Sequence, residues 1–264
     1  MSYLNRIITA KREEIAAAKE TISLQQLMHN NNFNHKAPSL TNHILSAQHN
    51  GIIAEFKRQS PSKGIINATA KVKTTVLQYQ EAGVSAVSVL TDQTFFGGKE
   101  QDLSDAFEVL TIPILRKDFI VDPWQIYQAR AIGASAILLI AAVLTKKEAL
   151  EMASLASYLG LEVLMELHEE DELSKINEFV NAVGINNRNL KTFEVDLNHS
   201  VQLASRLPNS MPRIAESGIH NPETIRFLRR HGFNGFLIGE NFMKQDNPGQ
   251  ACIDFCKSLH SFNL

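Results

Sequence analysis

Glu55 and Lys57 close one short apolar run of the chain, and Lys117, Glu166, Asn186 and Glu216 each close another. Side chains alternate along a strand, so Ile53, Glu55 and Lys57 share one face while Ile52, Ala54 and Phe56 share the other. The same parity pairs Leu115 with Lys117, Leu164 with Glu166, Gly184 with Asn186, and Ile214 with Glu216. Any one such residue is accounted for by a strand end turning to solvent or completing an ion pair. The set is not, because burying unpaired charge is costly and no fold requires it at so many corresponding places. Lysines and carboxylates gathered in this way suit acid–base chemistry.

Two glycine-bearing stretches suit a phosphate group. Glu216-Ser217-Gly218-Ile219 and Gly239-Glu240-Asn241 each follow an apolar run, and glycine lets backbone approach an anion closely. Tight turns alone would also use Gly218 and Gly239; their position after the seventh and eighth strands, where barrels often bind phosphate, makes the two readings equal at this point.

The elements that must position these groups are legible as alternation. Short apolar, β-branched runs at 51–57, 84–91, 113–117, 134–140, 161–166, 182–186, 213–216 and 235–239 alternate with helical patterns. Thr145 with Glu148 forms a capping box closed by Gly160, Asp122-Pro123 opens a helix that Gly133 ends, and Asn221-Pro222 with Gly232 repeats the device. Eight strands alternating with helices predict a parallel sheet closed into a (β/α)8 TIM barrel, with the polar tips converging at its mouth. An open doubly wound sheet is the alternative. It would carry a glycine-rich nucleotide turn after its first strand, whereas Arg58-Gln59-Ser60-Pro61-Ser62-Lys63-Gly64 stands there.

Ahead of the first strand, Leu4, Ile7, Ile8 and Ile15 fall on one side of an amphipathic helix over 3–20, with Lys11, Arg12, Glu13 and Glu14 between them. Residues 21–50, rich in Asn and His, read as a connecting arm with a turn or two of helix. The expectation is one barrel domain over 1–264, with 1–50 an N-terminal helical arm over the mouth.

Composition sets the outer limits. The 264 residues are close to the length at which such a barrel closes, and 44% hydrophobic with 20% charged residues suffices for a large core. A formal charge of −2 provides no general attraction for nucleic acid or anionic lipid, so anion recognition must be local. No run of 18 apolar residues is present, and the first twenty residues lack the apolar centre of a leader. Cys252 and Cys256, one helical turn apart, read as reduced residues on an apolar face, which places the protein in the cytoplasm. His29, His35, His43 and His49 show no zinc spacing, and no metal is expected. His168 reads as a cap or a solvated residue opening a surface helix. A monomer is expected, acting on a small phosphorylated substrate.

With these residues in view the chain resembles a known family. Ile53-Ala54-Glu55-Phe56-Lys57-Arg58 with Ser60-Pro61-Ser62-Lys63-Gly64, then Leu115-Arg116-Lys117-Asp118-Phe119-Ile120, 184–190 from Gly184 to Leu190, Ala215-Glu216-Ser217-Gly218-Ile219 and Leu237-Ile238-Gly239 occur in the order of the signatures of indole-3-glycerol phosphate synthase. The helix around Lys11-Arg12-Glu13-Glu14 resembles that family's extra N-terminal helix, so the likeness covers nearly the whole chain.

The resemblance implies closure of the pyrrole ring of 1-(2-carboxyphenylamino)-1-deoxyribulose 5-phosphate, with loss of carbon dioxide and water, in tryptophan biosynthesis. It implies that Lys117 supplies a proton or cation to the ketone oxygen, and that Glu166, Glu55 and Lys57 serve the dehydration. Loss of the carboxylate restores aromaticity, so the substrate is its own electron sink and no cofactor is implied. Gly218, Gly239 and the backbone at Glu240, helped by Ser217 and Arg188, are implied for the phosphate. Ser60, Asn186 and Glu216 are implied as further substrate contacts, and Phe96, Phe119, Leu138, Pro61 and Leu190 as the aromatic-ring pocket.

Three features bear on the likeness. Phe95 competes with Phe96 for the pocket. Glu240 stands where other members often carry serine, which requires its side chain to turn away from the phosphate. Phe179-Val180-Asn181-Ala182 lacks the glycine that commonly ends the preceding helix. Rival readings are an aldolase with Lys117 as Schiff-base nucleophile, and a silent barrel that binds a phosphorylated metabolite or a partner protein. The isomerase preceding this step in the pathway would need a cysteine near the first strand tip, and neither cysteine lies there.

Overall fold

A computed structural model describes residues 3–188 and 194–260. Eight parallel strands form a closed barrel: β1 (Ile52–Phe56), β2 (Ala86–Leu90), β3 (Ile114–Lys117), β4 (Ala136–Ile140), β5 (Glu162–Leu167), β6 (Ala182–Asn186), β7 (Arg213–Glu216) and β8 (Gly235–Ile238). Each strand pairs with its neighbours in sequence, and β8 pairs with β1. The eight apolar runs read from the sequence are these strands, with ends that agree to within two residues.

Parity separates two apolar layers. Ile53, Leu115, Leu164 and Ile214 fill the inside of the barrel, while Ile52, Val87, Ile137 and Val183 face the helices. Register then sets the height of the polar tips. Leu90 pairs with Lys117, Ile140 with Glu166, and Asn186 with Glu216. These pairings bring the tips to one rim.

The expected helix caps form. Thr145 and Glu148 exchange hydrogen bonds at the start of Lys146–Tyr158, Asp122 caps Pro123–Ala131, and Asn221 caps Pro222–Arg230. The segment between β5 and β6 is different. Instead of an α-helix it holds a 3-10 turn at Glu170–Lys175, and Asn181 then supplies what a glycine exit would have left open. Its side-chain oxygen accepts from the Val163 amide at 2.8 Å, and its own amide donates to the Val163 carbonyl at 3.0 Å. A two-stranded hairpin, Gln59–Ser60 with Gly64–Ile65, was not expected; it stands in the loop after β1.

The N-terminal region divides into three helices, α1 (Tyr3–Thr21), α2 (Leu24–Met28) and α3 (Leu40–Leu45). Their roles differ, which corrects the expectation that the whole arm covers the mouth. Helix α1 reaches the mouth, where Tyr3, Leu4 and Ile7 line the pocket. Helix α2 packs outside, on Pro123–Ala131. Helix α3 plugs the opposite end, its Leu40 and Ile44 joining the inner layer of the barrel. It is fastened there by Glu162 at the start of β5, which accepts from the Thr41 amide at 2.9 Å and also from the Ser39 hydroxyl.

Lys11 departs further from its place among the polar residues of α1. It is 1% exposed, with its ammonium 2.9 Å from Glu14, 3.0 Å from Asp92 and 3.1 Å from Asp118. Among the described residues no helix is long and apolar enough to cross a membrane.

Candidate active site

The mouth holds a pocket into which β1, β3, β5, β6 and β7 deliver their terminal polar side chains. Glu55, Lys57, Lys117, Glu166, Asn186 and Glu216 all line it, as do Ser60, Pro61, Phe96, Phe119, Leu138, Arg188, Ser217, Gly218, Gly239 and Glu240. Leu190 lies outside the described residues.

Lys117 is the centre of the charge arrangement. Its Nζ donates to Glu166 Oε2 at 2.9 Å and lies 3.0 Å from Glu216 Oε2. Burial opposes the charge on Lys117, but Glu166, Glu216 and Glu55 outweigh it and raise its pKa, so the ammonium stays protonated. Burial likewise opposes ionisation of Glu166, yet Lys117 and His168 hold its carboxyl well below the usual range. Glu216 is the converse case. Burial pushes it up to about 7, against the pull of Lys117 and with the added repulsion of Glu166 and Glu55. Its Oε1 is buried and has no hydrogen-bond partner among the described residues. Two neighbouring carboxyls are thereby driven apart in acidity, the arrangement that separates acid from base in one site. Lys57 and Glu55 form a second pair at 2.6 Å.

Two glycines make room for these acids. A Cβ on Gly184 would stand 2.3 Å from Glu216 Oε1, and one on Gly239 would stand 2.3 Å from Glu55 Oε1. Gly239 therefore has a packing reason in addition to the phosphate role expected of it. Gly218 adopts φ 71° beside Ser217 at φ 68°, so two successive residues hold the left-handed conformation at this rim. The strain at Ser217 is supported by Asn187, whose side chain donates to the Ser217 carbonyl at 2.7 Å.

Glu240 stands at the edge of the pocket. Its carboxylate lies 3.7 Å from Lys63 Nζ and 3.7 Å from Arg188 Nη2. The competition between the two phenylalanines is decided by α1. Phe95 packs edge-on against Tyr3 with centroids 5.9 Å apart, which leaves Phe96 to face Phe119 at 5.9 Å and form the apolar wall. Asp92 orders that loop by accepting from the Phe95 and Phe96 amides.

Sequence reasoning missed three contributions. The sequence places the N-terminal arm over the mouth but does not single out Tyr3, Leu4 and Ile7 as pocket residues, because periodicity does not say what a stripe packs against. Lys11 was read as polar surface. His168 was read as a cap, yet its Nε2 is 3.1 Å from Glu166 Oε1 and its side chain is 9% exposed. The parity of 164, 166 and 168 carried that signal. Among the described residues no group of three or more His, Cys, Asp or Glu is arranged to hold a metal.

The model of the family described as "Indole-3-glycerol phosphate synthase" matches residues 4–255. An indole-3-glycerol phosphate synthase of Bacteroides thetaiotaomicron is 46% identical over 256 residues, covering 97% of this chain and 98% of that one. Those of Acinetobacter baumannii and Salinibacter ruber are 41% and 40% identical over 254 and 253 residues, each covering 95% of this chain and 94% of theirs. Among solved structures, tryptophan synthase subunit alpha from Legionella pneumophila superposes with a TM-score of 0.63 at 13% identity, over 85% of this chain and 98% of that one. At that identity the likeness speaks for the barrel fold alone.

Proposed function

This chain belongs to the indole-3-glycerol phosphate synthase family, carboxy-lyases of tryptophan biosynthesis, and we propose that the pocket at its barrel mouth performs the ring closure with Lys117 as its central acid. The observation that carries this reading is the placement of the Lys117 ammonium between Glu166 and Glu216, charged and aimed into a pocket with one apolar wall.

In the first step a ring carbon of the substrate attacks the ketone, and the carbonyl oxygen takes the electron pair and the Lys117 proton to become a hydroxyl. The bond to the carboxylate then breaks, its electrons return to the ring, and carbon dioxide leaves. Dehydration follows. The hydroxyl departs as water with a proton from an acid of the site, and a base removes the ring proton.

Glu166 gains its competence from the first step. While Lys117 is charged, Glu166 is held ionised and unreactive; once Lys117 has given up its proton, that restraint is gone and the carboxylate becomes a stronger base. Glu55 and Lys57 form the second proton-exchanging pair. Phe96, Phe119, Leu138 and Pro61, with Leu190, receive the aromatic ring, and Ser60, Asn186 and Glu216 the remaining polar groups. Ser217, Gly218, Gly239, the Glu240 backbone and Arg188 hold the phosphate.

A Schiff-base aldolase is disfavoured by the same electrostatics, because a lysine held protonated by three carboxylates is a poor nucleophile. Cys252 and Cys256 are buried and not joined in a disulfide, which fits a cytoplasmic enzyme, and the reading includes a monomer without nucleic-acid or membrane partners.

The test is incubation with 1-(2-carboxyphenylamino)-1-deoxyribulose 5-phosphate, following indole absorbance and fluorescence. Wild type should form product and Lys117→Ala should not, with native circular dichroism in both. Near-normal turnover by the variant would remove Lys117 from the mechanism.

A further inference from the structure

We propose that His168 is the positioning residue of Glu166, holding the carboxylate through Oε1 so that it keeps its place and charge when Lys117, on Oε2, releases its proton. The proposal rests on the reading of Glu166 as a proton-transfer group.

The geometry begins with chain direction. His168 follows Glu166 by two residues, one past the end of β5, and so keeps the inward parity of Leu164 and Glu166. Its Nε2 lies 3.1 Å from Glu166 Oε1, while Lys117 Nζ lies 2.9 Å from Oε2. Asn186 also donates to Oε1, at 3.1 Å. The carboxylate is therefore held at both oxygens, and only the Lys117 side is consumed by the chemistry.

The imidazole itself is fixed by its backbone. The His168 amide donates to Glu172 Oε2 at 2.6 Å, and its carbonyl meets His199 Nε2 at 2.9 Å. A cap or a solvated surface residue would not be pinned on both sides with its ring buried. Among the described residues neither ring nitrogen makes a well-directed hydrogen bond, so the attraction to Glu166 is one of charge more than of direction.

The charged groups around the ring favour its cationic form. Glu166 is on its own strand, Glu172 on the 3-10 turn that follows, Glu216 on β7, and His199 on Leu197–Ala204; Lys117 on β3 lies beyond Glu166. Burial works against the charge, but the carboxylates outweigh it, led by Glu166, and the pKa of His168 is raised. The imidazolium is consequently present below that raised pKa and lost as pH rises through it.

This predicts a specific pattern in kcat. His168→Ala, and His168→Gln, which keeps side-chain bulk without charge, should each lower kcat about tenfold near neutral pH, with KM changed less than about twofold. The deficit should shrink as pH rises, because wild type loses its imidazolium there and the variants have none to lose. In a Glu166→Gln background, His168→Ala should cost nothing further.

Superimposable kcat–pH profiles for wild type and His168→Gln would overturn the proposal. So would equal losses in the two backgrounds, which would mean that His168 acts elsewhere, or a loss confined to melting temperature. Near-normal turnover by Glu166→Gln alone would remove the reading of Glu166 beneath the proposal, and the proposal with it.

Discussion

Lys11 Nζ lies 3.1 Å from Asp118 Oδ1, so the N-terminal helix is bonded to the residue that immediately follows Lys117. The same ammonium reaches Asp92, the cap of the loop that presents Phe96. One buried cation thus ties α1 to two elements that shape the pocket. Asp118 is held from its other oxygen by Arg116 at 3.1 Å and by the Thr91 hydroxyl at 2.6 Å.

Removing that cation leaves Asp92 and Asp118 buried and short of positive charge. Breaking a buried pair at one partner costs about 3–5 kcal/mol, so Lys11→Met should lower unfolding free energy by about that much in a denaturant titration. KM should rise as well, because α1 and the Phe96 loop lose their common anchor. A stability change below about 1 kcal/mol with KM unaltered would show that the network is incidental.

Truncation separates the two ends of the N-terminal region. A chain lacking residues 1–21 loses the Tyr3, Leu4 and Ile7 wall and should retain a barrel with weakened substrate binding. A chain lacking residues 1–50 also loses Leu40 and Ile44 from the inner layer, each worth about 1.5–3 kcal/mol of burial, and opens the barrel floor to water. It should melt well below the shorter truncation or fail to fold cooperatively. Equal melting temperatures for the two would show that α3 is dispensable.

Glu216 gives stability a pH signature of known sign. Burial pushes its pKa up to about 7 in the folded chain from an ordinary value of about 4.5, so the folded state binds the extra proton. Protonated Glu216 favours folding fully below about pH 4.5, and that contribution is lost as pH rises through about 7. The loss is on the order of a few kcal/mol. Glu216→Gln cannot titrate, so the melting temperature of wild type relative to this variant should fall between pH 4.5 and 7 and level off above. A difference that stays constant across this window would mean that Glu216 is ionised throughout.

Local readings from the sequence succeeded where the determinant lies within a few residues. Thr145 with Glu148 and Asp122-Pro123 predicted helix starts because a cap closes its own hydrogen bonds within one turn. The strands and the inward parity of Glu55, Lys117, Glu166, Asn186 and Glu216 followed from alternation in the same way. Gly184 was harder. It was legible only as a strand residue paired by parity with Asn186, although it clears the space for Glu216, which lies far along the chain. Gly239 was legible as a phosphate contact, while its second reason, room for Glu55, depends on β8 closing against β1.

The sequence by itself determined the periodicity of each element, the barrel that eight such elements close, the family the chain resembles, and which polar side chains reach the mouth. Each of these rests on short-range covalent geometry repeated along the chain. Tertiary structure alone decided that Lys11 is a buried anchor, that α3 seals the floor while α1 walls the mouth, that Phe96 rather than Phe95 faces the pocket, and that Glu166 and Glu216 differ in acidity. Those outcomes depend on which distant groups come within a few ångströms of one another in a poorly solvated interior, where position sets the sign and size of every electrostatic effect.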